Sequence, residues 1–134
     1  MIIQFYEKPG CINNTRQKLL LESYGHTVIA HSILSEQWTK DKLRPFFGAL
    51  PVHKWFNMAA PEIKSGEIEP TNFNESTALK AMLSNHLLIR RPLIEADSRF
   101  VCGFENELIN ELLNNKDVSH LQNCPNISHS KSCD

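Results

Sequence analysis

No run of apolar residues in this chain approaches the roughly eighteen needed to span a bilayer, and the short apolar start lacks a basic leader or a small-residue cleavage site. No membrane span or export is expected, which places the protein in the cytoplasm. Charge of one sign is missing too. Fourteen Lys and Arg against 15 Asp and Glu leave a formal net charge of -1, no electrostatic footprint for nucleic acid or an anionic membrane. Cysteine is present four times, as Cys11, Cys102, Cys124 and Cys133, but no two stand in a Cys-x-x-Cys pair. At 134 residues the chain can bury a core without staples, so these read as free thiols rather than a disulfide framework. One domain is expected, as a monomer.

What is there begins with a strand at residues 2 to 6 and a helix at 13 to 24 whose Leu20, Leu21 and Tyr24 share a face, closed by Gly25 as a left-handed cap. The alternating run His26 to His31 is a second strand, parallel to the first because a helix lies between them. Thr39 caps a helix that Pro45 shortens, and Pro51 opens another short helical turn carrying Trp55 and Phe56. Residues 58 to 72, with Pro61, Gly66 and Pro70, read as a long ordered loop or short helical pieces. Asn74 caps a helix with an inward stripe of Ala78, Leu79, Met82 and Leu83. Strands Leu93 to Glu95 and Arg99 to Cys102 form an antiparallel hairpin, and a last helix runs from about Glu105 to Leu113. A βαβ unit, a helical insertion, a hairpin and a closing helix are the order of a thioredoxin-like α/β domain with a mixed four-stranded sheet.

Within that order the informative residue is Cys11. It follows the first strand and the turn Glu7-Lys8-Pro9-Gly10 and directly precedes a helix. The first amides of a helix have no intrahelical partner and the peptide dipoles add there, so a sulfur at that point has its anion favoured. A thiol of ordinary pKa, roughly 8.5, is thereby brought toward neutrality and becomes a nucleophile. The bland alternative, a small buried residue behind a turn, is equally compatible with position alone.

The residues around Cys11 carry a resemblance. Pro9-Gly10-Cys11, the segment Leu88-Ile89-Arg90-Arg91-Pro92-Leu93-Ile94 and Gly103 are similar to the glutaredoxin-dependent arsenate reductase family and its Spx-type relatives. Phe5 to Cys11, Trp38-Thr39, Phe46-Phe47-Gly48, Trp55-Phe56-Asn57 and Lys64 to Glu67 look most like its nitrogenase-associated branch. The resemblance covers residues 2 to 115, leaving 116 to 134 as a polar tail expected to be disordered.

In such reductases the cysteine attacks an oxyanion held by three arginines before glutathione and glutaredoxin complete the reduction. The resemblance gives Cys11 as nucleophile, Arg91 as one arginine and a cis bond at Arg91-Pro92. The other two arginines fall on Asn57 and Phe104, so an arsenate-like dianion loses two bidentate clamps, each hydrogen bond to a charged group contributing roughly 1.5–3 kcal/mol. Lys8, Lys54 and Lys64 are candidates to compensate, as point charges without the planar fork. Asn14, three residues after Cys11, stands where dithiol relatives carry a second cysteine, so turnover requires an external thiol. Lys8, Asn14, Asn57 and Lys64 are thus candidate substrate contacts. Arg90 is expected to be a solvated charge and Cys102 a core residue.

The tail holds His120, Cys124, His129 and Cys133 at spacings of four, five and four. These are zinc-type ligands, but paired spacing and apolar support are absent, so no metal and no bound cofactor are expected. Cys124 or Cys133 as a resolving thiol for Cys11 is a further expectation from the tail. Two functions follow. One is a thiol-dependent oxidoreductase using glutathione or glutaredoxin as external reductant. The alternative is a non-catalytic accessory module docking on a nitrogenase-related partner, with Trp55-Phe56 as contact surface or, more simply, as core.

Overall fold

A computed structural model describes residues 1–113. β1 (Ile2–Glu7), α1 (Ile12–Ser23) and β2 (Thr27–Ser32) form the βαβ unit, with β1 and β2 parallel and Ile2 opposite Thr27. Alternation along β1 explains its central place. Ile3 and Phe5 point to one face and Tyr6 to the other, and all three are buried. α1 ends as its sequence dictates, with Gly25 at φ +89 and its amide donating to Glu22 O at 3.0 Å.

The insertion is a chain of short pieces. Thr39 caps α2 (Lys40–Leu43) by accepting the Lys42 amide, after which Arg44–Phe47 tightens to a 3-10 turn with Pro45 in its first turn. Proline's missing amide ends the α-type ladder there, as the sequence implies. A second 3-10 turn, Val52–Trp55, has Pro51 as its N-cap, one place earlier than the N1 position read from sequence. α3 (Pro61–Lys64) and a 3-10 turn at Pro70–Asn72 resolve the 58–72 stretch into short helical pieces. α4 (Glu75–Ser84) starts with a reciprocal capping box between Asn74 and Thr77.

β3 (Leu93–Ala96) and β4 (Arg99–Cys102) make the expected hairpin, turned by Asp97 and Ser98, both at positive φ as a two-residue type I′ turn requires. The sheet order is β2-β1-β3-β4, with β3 antiparallel to β1. α5 (Glu107–Leu112) is capped by Asn106. This is the thioredoxin-like arrangement.

Two cores flank the sheet. On one face α1 and α5 cover Ile3, Phe5 and Ile94 with Leu21, Leu108 and Leu112. On the other the insertion covers Tyr6, Leu93 and Cys102 with Trp38, Phe46, Trp55 and Met82. Trp55 and Phe56 are 1% and 2% exposed, so they are core and offer no contact surface. Among the described residues no helix is long and apolar enough to cross a membrane.

Candidate functional site

Lys8, Pro9, Gly10 and Cys11 form a tight turn closed by the Cys11 amide donating to Lys8 O at 3.1 Å. Pro9 sits in the second place and Gly10, at φ +85, in the third, the pattern of a type II turn. A side chain at residue 10 would be strained by that φ, so glycine is required. The turn delivers Cys11 as the N-cap of α1. Its carbonyl accepts the Thr15 amide at 3.0 Å and its Sγ accepts the Asn14 amide at 3.4 Å. The sulfur therefore faces the opening amides of a 12-residue helix, the geometry that favours its anion.

Cys11 is 3% exposed and disulfide-bonded, which corrects the expectation of a free thiol at this position; its partner lies outside the described residues. The expectations for the tail, namely its disorder, the zinc-type set and Cys124 or Cys133 as resolving thiols, also lie outside the described residues. Among the described residues no group of three or more His, Cys, Asp or Glu is placed to hold a metal.

Register brings Arg91 to the same end of the sheet. Tyr6 pairs with Leu93, so Arg91 and Pro92 lie beside the strand end that runs into Lys8 and Cys11. The Arg91-Pro92 bond is cis, in keeping with the resemblance, and Arg91 is half-buried. Its neighbour Arg90 corrects the sequence reading. It is no solvated charge: Nη1 donates to Lys54 O at 3.2 Å, and the guanidinium lies over Gly103, where a Cβ would come within 3.1 Å of Nη2. Glycine at 103 makes that close approach feasible.

Asn14 is 2% exposed, the one buried polar side chain among the described residues. Its Oδ1 accepts the Lys8 amide at 3.1 Å and its Nδ2 donates to Gln17 Oε1 at 3.0 Å. Asn57 is occupied elsewhere. Its Nδ2 donates to Leu87 O at 3.1 Å, its Oδ1 accepts the Ala59 amide at 3.1 Å, and its own amide donates to Leu88 O at 2.8 Å. That side chain shapes a turn. Phe104 is buried in the core beneath α5, so neither position supplies a guanidinium. Lys54 is exposed on the Val52–Trp55 turn and Lys64 is exposed at the end of α3. Sequence reasoning missed the Asn14 bonds, although an asparagine in the first helical turn after a Pro-Gly bend is a signal for them.

Cys102 contrasts with Cys11. It is free, buried among the insertion's apolar side chains, and burial pushes its thiol up to about 12. Tyr6 is also raised, chiefly by burial and then by Glu36. Both groups are neutral in the fold and ionise more readily in the unfolded chain. The stability they confer is complete below the unfolded value and is lost as pH rises, for Cys102 between about 9 and about 12. At pH 10 the Cys102 contribution to that loss is roughly 1 kcal/mol. Urea unfolding of wild type and Cys102→Ala from pH 7 to 10.5 should show the variant's stability falling less steeply. Parallel curves would contradict this assignment.

Comparison with known proteins gives the family and the fold. The ArsC family model matches residues 12–112. The "Uncharacterized 15.7 kDa protein in draG 3'region" of Rhodospirillum rubrum is 44% identical over 133 residues, spanning 98% of this chain and 93% of that one. Among solved structures, an arsenate reductase from Vibrio cholerae has a TM-score of 0.69 at 20% identity, covering 84% of this chain and 98% of its own. An ArsC family related protein from Bacteroides fragilis has a TM-score of 0.71 at 22% identity, covering 84% and 99%. A family match across most of the described residues, joined to a relative of 44% identity over nearly the whole length, settles the kinship: the chain belongs to the ArsC family.

Proposed function

We propose that this protein is a thiol-dependent redox protein in which Cys11 is the nucleophile and Arg91 orients an anionic substrate. The observation that carries the reading is the Cys11 Sγ at the N-cap of α1, accepting the Asn14 amide at 3.4 Å. Reduced, the sulfur attacks a pentavalent oxyanion, forming a sulfur-to-arsenic-type bond as one oxygen leaves as water. An external thiol then supplies the second sulfur, the centre falls from the pentavalent to the trivalent state, and two thiols end as one disulfide. Glutathione with glutaredoxin is the reductant that the resemblance implies, and the cytoplasm the compartment that supplies it. Asn14 in place of a second cysteine excludes a Cys-x-x-Cys pair, and the disulfide at Cys11 has to be opened by an external thiol before the sulfur can attack.

The arginine set is incomplete. With Asn57 committed to its turn and Phe104 in the core, an arsenate-like dianion is held by Arg91 and whatever Lys8 or Lys64 provides, so efficient arsenate reduction is not expected. A role in nitrogen fixation rests on the resemblance of the Phe5 to Cys11 and Trp55 to Asn57 segments, and a relative named for the region 3' of draG supports it. The missing guanidiniums favour a second reading, a non-catalytic accessory module for nitrogenase maturation or protection.

The test is the rate of Cys11 alkylation by iodoacetamide against pH, followed by peptide mass spectrometry on the reduced protein. A midpoint at least one unit below the roughly 8.5 of a free thiol is expected. A midpoint at the free-thiol value would remove the basis of the proposal.

A further inference from the structure

We infer that Asn14 is a positioning residue for this chemistry, its buried side-chain amide holding the Lys8–Cys11 turn against α1 so that the Cys11 sulfur stays over the Asn14 backbone amide. The inference rests on the reading of Cys11 as nucleophile. One residue supplies three ties: Asn14 N–H to Cys11 Sγ at 3.4 Å, Lys8 N–H to Asn14 Oδ1 at 3.1 Å, and Asn14 Nδ2 to Gln17 Oε1 at 3.0 Å. The first touches the sulfur. The second reaches back to the residue at which the turn begins, and the third fixes the amide's orientation from one helical turn onward.

The geometry explains why this residue type serves. Lys8 lends its carbonyl to the Cys11 amide and its own amide to Asn14, so both backbone groups at the mouth of the turn are bound. An aliphatic side chain at position 14 would fill the space but leave the Lys8 amide without that acceptor. A serine is one atom too short to reach it and Gln17 together. At 2% exposure water does not readily substitute. The site therefore couples loop and helix through one side chain, and the sulfur's alignment with its donor depends on that coupling rather than on helix capping alone.

The test compares reduced wild type with Asn14→Ala and Gln17→Ala. Two readouts are needed: the pH profile of Cys11 alkylation and hydrogen exchange at the Lys8 and residue-14 amides. In Asn14→Ala the midpoint should rise by about one pH unit, so that labelling at pH 7 slows about tenfold, and the Lys8 amide should exchange faster. Gln17→Ala releases only the outer support, from a half-buried position, and should move both readouts the same way by about threefold. It also keeps the proposal testable should Asn14→Ala fail to fold. A purely structural role would lower the unfolding midpoint without moving the alkylation profile of the folded protein, and that result overturns the inference. A low wild-type midpoint left unchanged in both variants overturns it alone, whereas a free-thiol midpoint in wild type overturns the Cys11 reading as well.

Discussion

A Cys11→Ser protein loses thiol-dependent reduction by on the order of a thousandfold or more in an arsenate assay coupled to glutathione, glutaredoxin and NADPH oxidation; this is the expected result if Cys11 is the nucleophile. Serine tests the chemistry cleanly because it is itself a favoured N-cap residue and can accept the Asn14 amide in the sulfur's place. The fold should therefore survive, with an unfolding midpoint close to that of reduced wild type, since the variant lacks the Cys11 disulfide. What serine cannot do is ionise near neutrality or enter a disulfide. Wild-type turnover should itself be slow, since Arg91 lacks two guanidinium companions. Activity retained in Cys11→Ser would move the chemistry elsewhere. Retention of a biological role without turnover would favour the accessory-module reading.

The second large effect is structural. Trp55→Ala should destabilise the protein by about 3–5 kcal/mol, read as a lower urea midpoint at unchanged slope. Trp55 is 1% exposed and stacks on Phe47 at 4.6 Å with the rings only 6° from parallel. Its Nε1 donates to Leu50 O at 2.8 Å, and the Arg44 guanidinium lies 4.9 Å from its ring centroid. Truncation opens a cavity in the insertion's core and leaves the Leu50 carbonyl without that donor. Trp55→Phe keeps an aromatic face but not the N–H, so it should cost roughly 1–3 kcal/mol. Were Trp55 a docking residue, alanine would weaken binding while sparing stability. Unchanged stability would mean that this core assignment is wrong.

Where local rules decide, the chain declares its structure. Alternation in Ile2 to Tyr6, the Leu20-Leu21-Tyr24 face and the cap at Gly25 give β1 and α1 to within about a residue, and Asn74 and Thr39 mark their helices by capping alone. Cys11 was legible for the same reason, because strand, turn and helix are contiguous. The insertion was less so. Its pieces are three or four residues long, below the reach of helical periodicity, and their paths depend on tertiary packing. Asn57 shows the cost of that: as a residue type it suits an anion, yet its amide closes bonds to Leu87 and Ala59 that no spacing reveals. Arg90 is of the same kind, since the Gly103 beneath it lies 13 positions away in sequence, just past the end of β4.

β1 has a partner strand on each edge and a core on each face, and Cys11 hangs from its end by four residues. In cooperative unfolding such a segment belongs to the last unit to open. Fraying of the insertion or of the outer strands can come and go without unmooring the sulfur, so the lifetime of its reactive posture is set by the whole molecule's persistence and not by that of the loop that displays it.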